Sequence, residues 1–213
     1  DCITDSAYSP TFPGGIDPEG YQIGCNRYTK EEYKTMLLGA DSIFRANGLG
    51  KPTAIRAGGW THDRDNIYAL DEVGYLVDGS APNIHRLGDQ LSAELVTILL
   101  MCWEPFTDTS QPYYPLQGEP DHSVGTHILE VPNNGVLADY ATGEDMVDIF
   151  EANWSGGALM SARQVSLGYH SDNVAYSFIS RMYFALDYIH KFTYDKDHGP
   201  VVYVRMSDMA QIW

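Results

Sequence analysis

Ala54-Ile55-Arg56-Ala57-Gly58-Gly59-Trp60-Thr61-His62-Asp63, with its echo Gly74-Tyr75-Leu76-Val77-Asp78-Gly79-Ser80, is the stretch whose reading decides the fold. A short run with a β-branched residue ends in an arginine, two glycines let the backbone turn where a Cβ would clash, and Thr61 opens the next helix. Ile67, Leu70 and Val73 recur at helical spacing, which predicts a helix over about 62–73 stopped by Gly74. A strand over Tyr75–Asp78 follows. The unit is strand, loop, helix, strand, and its two strands are expected to run parallel with a right-handed crossover. Residues at the carboxyl ends of such strands face the crevice where α/β proteins keep their chemistry. Arg56 and Trp60 are therefore the first site candidates, and Asp78 is the second strand's equivalent of Arg56. The bland alternative is that Arg56 caps a carbonyl and Trp60 fills the edge of the core.

Outward from this unit, residues 1–28 are rich in proline and glycine without a sustained period and read as a loop-rich opening segment, before an α/β domain over 29–213. Thr29-Lys30-Glu31-Glu32 is a capping box, and Tyr33, Met36, Leu37, Ala40, Ile43 and Phe44 continue it as a helix over about 30–47 closed by Gly48. Leu91–Trp103 reads equally as a helix or a buried strand. Pro105–Pro120 is an aromatic loop containing Pro112-Tyr113-Tyr114-Pro115. Strands are expected over His127–Val131, Val165–Tyr169 and Val201–Arg205, and helices over Thr142–Trp154, about 174–191, and Ser207–Trp213. His170 repeats the pattern of Arg56 and Asp78, a polar residue just past a strand and ahead of a helix. In a sheet or barrel of parallel strands the three converge on one face, where an imidazole serves as general acid or base. The competing reading has His170 donating to a carbonyl and capping the helix. His122 and His127 have metal-pair spacing, but Gly125 argues against the helix that would align them.

The chain has 213 residues, 44% hydrophobic and 20% charged, enough for one domain with a full core. A formal charge of −16 without a basic cluster repels polyanions and excludes nucleic acid as an expected partner. No run approaches the roughly 18 apolar residues of a membrane span. Fifteen tyrosines and four tryptophans suit flat polar ligands such as sugars and equally suit many secreted proteins with no ligand; Trp60, Tyr113 and Tyr114 are the substrate-binding candidates. Three cysteines at irregular spacing make neither a zinc ribbon nor a redox pair; a Cys2 to Cys25 disulfide is compatible with an exported protein. Asn153-Trp154-Ser155 fits a glycosylation acceptor. There is no nucleophile elbow, phosphate loop or dinucleotide fingerprint.

Ile55-Arg56-Ala57-Gly58-Gly59-Trp60, then Val73-Gly74-Tyr75-Leu76-Val77-Asp78-Gly79-Ser80, resembles the polysaccharide deacetylase (carbohydrate esterase) family, in the branch whose third motif reads Arg-Ala-Gly. Leu129-Glu130-Val131-Pro132, Leu167-Gly168-Tyr169-His170 and Val201–Met209 resemble later family segments in order. The resemblance spans roughly residues 29–213, the carboxyl-terminal portion of such a domain. It implies an incomplete or distorted (β/α) barrel, secretion, and hydrolysis of acetyl groups on glycans with a divalent metal, usually zinc. In it Arg56 matches the arginine that braces the catalytic base, Trp60 lines the sugar groove, His170 matches the late histidine acting as general acid, and Asp78 ends the strand after the arginine motif. The family's early aspartate motif and its histidine motif belong before Arg56, and neither is here; no histidine precedes His62. The metal ligands are therefore not identified in this chain. Three expectations stand: a deacetylase completed by a metal-bearing segment, a non-catalytic deacetylase-like domain for glycan binding or assembly, or an unrelated α/β domain. A short parallel sheet also leaves an open edge, to be covered by residues 1–28, a second chain or a homo-oligomer.

Overall fold

The computed structural model describes residues 24–115, 126–170, 173–197 and 199–213. Among them are eight α-helices and three two-residue strands in a mixed α/β arrangement. A 3-10 turn at Cys25–Arg27 leads into α1 (Lys30–Ala46), which starts on the expected capping box: the Thr29 hydroxyl accepts from Glu32 N–H and the Glu32 carboxylate accepts from Thr29 N–H. β1 (Ala54–Ile55) and a 3-10 turn at Gly58–Trp60 are followed by α2 (Arg64–Val73). Asp63, rather than Thr61, caps α2 in a reciprocal box with Asn66, and Gly74 closes it in the left-handed conformation. β2 is Val77–Asp78, α3 Ile84–Leu87 and α4 Ala93–Cys102. The ambiguous Leu91–Trp103 run is thus a helix, opened by the Ser92 side chain bonding Leu95 N–H. β3 (Leu129–Glu130), α5 (Gly143–Asn153), α6 (Asn173–Ile189), α7 (Tyr194–Asp197) and α8 (Met209–Ile212) complete the order.

The sheet has the order β1-β2-β3, all parallel, and is not closed. Register pairs Ile55 with Asp78 and Asp78 with Glu130. Successive residues of a strand alternate between faces. Val77 and Leu129 accordingly pack with Val131 and Met209 on one face, and Asp78 and Glu130 turn to the other. The main core joins Leu70 of α2, Leu87 of α3, Leu99 of α4, and Met146 and Ile149 of α5, all fully buried, with Met182 and Ala185 of α6. Lys30 and Lys34 of α1 both reach Glu72 of α2, at 2.7 and 2.6 Å.

Two expected strands do not pair as strands. Of Val165–Tyr169 only Gly168 forms a bridge, to Leu137, and of Val201–Arg205 only Val201, to Thr193. β-propensity without a neighbouring strand yields extended chain, not sheet. The glycosylation reading of Asn153 is corrected: its side chain is buried and its amide donates to Asp108 O and Ile149 O, at 2.8 and 2.9 Å. Cys25 is a free thiol, while Cys2, like His122 and residues 1–23, lies outside the described residues. No helix among the described residues is long and apolar enough to cross a membrane.

Leu70 carries much of the main core from the helix that connects β1 to β2. Leu70→Ala is expected to destabilise the fold by about 2–5 kcal/mol, read as a lower urea midpoint with an unchanged slope; an unchanged midpoint would contradict the packing described.

Candidate functional site

The parallel register brings the carboxyl ends of β1, β2 and β3 to one level, and each end offers a polar residue. Arg56 follows β1 directly and lays its guanidinium along these ends. Nε donates to Gly79 O at 2.8 Å and Nη2 to Ser166 Oγ at 3.1 Å. Burial pulls the Arg56 pKa below its usual value, and the charges of Glu130 and Asp78 oppose that pull.

Asp78 is fully buried, and both its oxygens are engaged. Oδ2 accepts from His62 Nδ1 at 2.7 Å and Oδ1 from Ser80 Oγ at 2.5 Å, while Ser80 Oγ accepts from Ala57 N–H at 2.8 Å. His62 is also fully buried, in the loop before α2, with Nε2 2.5 Å from the Tyr33 hydroxyl of α1. Burial disfavours an imidazolium there, but the Asp78 carboxylate outweighs it and lifts His62 to about 10. Both ring nitrogens then donate, Nδ1 to Asp78 and Nε2 to the Tyr33 oxygen. Neighbouring backbone is tied in as well: Cys25 N–H donates to Thr61 Oγ1 at 2.8 Å, and Asn66 Nδ2 to Cys25 O at 3.1 Å.

His170 stands on a separate register. Leu137 pairs in parallel with Gly168, through Ala138 N–H to Gly168 O at 2.8 Å and Gly168 N–H to Val136 O at 3.2 Å. Two residues further along both segments, Asp139 and His170 meet. His170 N–H donates to Asp139 Oδ2 at 3.1 Å, and its Nδ1 lies 3.3 Å from Asp139 Oδ1. The carboxylate side chain is 6% exposed and the imidazole 52%. The site joins here to the strand ends, because Arg56 lies against the chain leading to His170: a Cβ on Gly168 would be 3.3 Å from Arg56 Nη1. Of the expected trio, then, Arg56 and Asp78 share one level of the sheet, and His170 has its polar partner in Asp139.

Trp60 is 5% exposed and lies under Tyr140, ring centroids 6.0 Å apart, and Tyr140 in turn meets His170 edge-on at 6.3 Å. The half-buried Tyr140 is therefore the ring between Trp60 and His170. Tyr113 exchanges backbone hydrogen bonds with Glu130 and stacks its ring on Phe106 at 5.7 Å. Tyr114 packs with Val77, Leu129 and Met209, on the sheet face opposite the carboxylates.

Trp60 (φ 59°) and Val136 (φ 65°) are the non-glycine residues in the left-handed region among those described, and they flank the site, one following Arg56 and the other preceding Asp139. A β-branched residue there is a marked outlier, and such strain collects at functional sites. Glu130 and Asp139 escaped the sequence reading as site residues, and His62, which the sequence offers as a possible ligand or a polar residue at the start of α2, is instead the buried partner of Asp78.

The zinc implied by the family resemblance does not fit the described residues. No three His, Cys, Asp or Glu side chains among them are grouped to hold a metal ion, and Asp78 is already committed to His62 and Ser80. His127 lies over Asp71 at 3.3 Å, exposed and away from this cluster. Comparisons with protein-family models, with curated proteins and with solved structures gave no match.

Breaking a buried ion pair leaves an uncompensated charge, so Asp78→Asn is expected to cost about 3–5 kcal/mol. The His62 contribution also has a sign in pH. The folded value near 10 exceeds the unfolded value of about 6.5, so its stabilisation is complete below about pH 6.5 and is lost as pH rises through 10. Urea midpoints of the native protein should fall over that window, and those of Asp78→Asn should lack this component; parallel pH profiles would contradict the pair.

Proposed function

We propose that the chain is a polysaccharide deacetylase-like domain acting on acetylated glycans at the carboxyl-end face of its sheet, and that its parallel strands belong to a larger (β/α) barrel. The observation that carries this reading is the His170–Asp139 pair. The buried Asp139 carboxylate accepts from His170 N–H and lies 3.3 Å from its Nδ1, leaving Nε2 to give or take a proton at an exposed position. Removing an acetyl group from an amide or ester requires a proton on the leaving nitrogen or oxygen, and this reading assigns that role to His170. Arg56 supplies a fixed positive charge at the strand ends, and Tyr140, between Trp60 and His170, offers an aromatic face of the kind sugar rings pack against. The described residues do not form the family's metal-ligand set, so hydrolysis on this reading needs ligands from outside them, on this chain or another. Work on extracellular glycans would place the protein in a secretory route.

A second reading, glycan binding without hydrolysis, is favoured by the engagement of both Asp78 oxygens, which leaves that carboxylate no free atom for chemistry.

The test measures acetate release from N-acetylglucosamine oligomers and acetylated xylan, with and without added zinc, beside retention of the protein in glycan-containing gels. Hydrolysis is expected to fall by about 10²–10⁴-fold in His170→Ala and to a smaller extent in Asp139→Asn. Retention without acetate release supports the second reading, and loss of both readouts in the native protein overturns both.

A further inference from the structure

Asp78 and Glu130 are paired in register at the ends of adjacent parallel strands, and both are fully buried. Neighbouring strands lie about 4.8 Å apart, and paired residues project to the same face, so the two carboxyl groups stand side by side. Hydrogen-bond donors are distributed unequally between them. Asp78 has one for each oxygen, from His62 and Ser80. Glu130 has Ala81 N–H on Oε1 at 2.8 Å, and its Oε2 is buried without a partner.

The other charged and titratable groups facing Glu130 do not supply the missing donor. From the turn after β1, Arg56 spends Nε and Nη2 on Gly79 O and Ser166 Oγ. Across the sheet, Tyr113 meets Glu130 through backbone bonds. Behind Asp78, His62 is spent on Asp78 and Tyr33. A charged carboxylate with a bare buried oxygen beside a second carboxylate is strongly disfavoured, whereas a protonated acid makes that oxygen a donor aimed toward its neighbour.

We propose that Glu130 is the proton-bearing member of a buried carboxyl pair with Asp78, and that loss of this proton as pH rises loosens the junction of β2 and β3 beneath the site. Burial, followed by the Asp78 charge, holds the Glu130 carboxyl well above its ordinary range, with Ala81 N–H and Arg56 acting against them. An acid raised in the fold binds its proton more tightly there than in the unfolded chain. Its stabilisation is therefore full below the unfolded value of about 4.3 and is lost as pH climbs through the folded value. The inference stands on the sheet's own geometry and is independent of any action on glycans.

Glu130→Gln keeps the shape of the neutral acid and cannot ionise. Melting temperatures of native protein and Glu130→Gln, compared from pH 4 to 8, should nearly coincide at the acid end, with the variant gaining by several degrees as pH rises. A constant offset, or a variant that loses ground with rising pH, overturns the proposal. If the variant does not fold, carboxyl-carbon NMR of the native protein decides the matter: Glu130 must remain protonated after the exposed glutamates have ionised, and titration together with them overturns it.

Discussion

A histidine and an aspartate side chain 2.7 Å apart, both out of contact with water, hold the centre of this protein together. His62 comes from the loop between β1 and α2, and Asp78 from the end of β2. Through Tyr33 the pair reaches α1, and through Ser80 it reaches the backbone of Ala57. Such a pair gains little over an apolar filling of the same shape, but removing one partner strands a charge. Its value is therefore positional. Each element that touches it is fixed relative to the strand ends, and Arg56, one residue past β1, is held there by Gly79 O and Ser166 Oγ.

The rest of the site follows from register. Paired two-residue strands suffice to align Ile55, Asp78 and Glu130, and alternation sends Val77 and Leu129 to an apolar face while the carboxylates turn to the other. The bridge between Leu137 and Gly168 works the same way one layer out, carrying Asp139 and His170 into contact. Gly168 is needed there because a side chain would meet Leu137 and the Arg56 guanidinium. The left-handed Trp60 and Val136 show that the chain accepts local strain to make these turns.

Much of this frame is legible in the sequence because it rests on local rules. The Thr29 capping box, the apolar period of α2 and the glycine that ends it, and the parallel pairing of the strands on either side all follow from short-range pattern, as does the placing of Arg56 and Asp78 at neighbouring strand ends. His62 is not legible, because a histidine in a loop has no period, and its burial is decided by Tyr33 and Asp78, 29 and 16 residues away. Glu130 sits between Leu129 and Val131 and reads as a solvent-facing residue of an alternating strand, whereas this sheet is covered on both faces. Asp139 depends on a bridge across 31 residues. Val201–Arg205 errs in the opposite direction: its β-branched run is evident, but only Val201 is bridged, to Thr193.

Everything above depends on the buried His62 being a charged donor to Asp78. The most direct test is nitrogen NMR of the His62 ring in the folded protein at neutral pH. Protons on both ring nitrogens are expected, with the Nδ1 signal displaced by its short bond to a carboxylate. A neutral ring with an unprotonated nitrogen would contradict a charged His62.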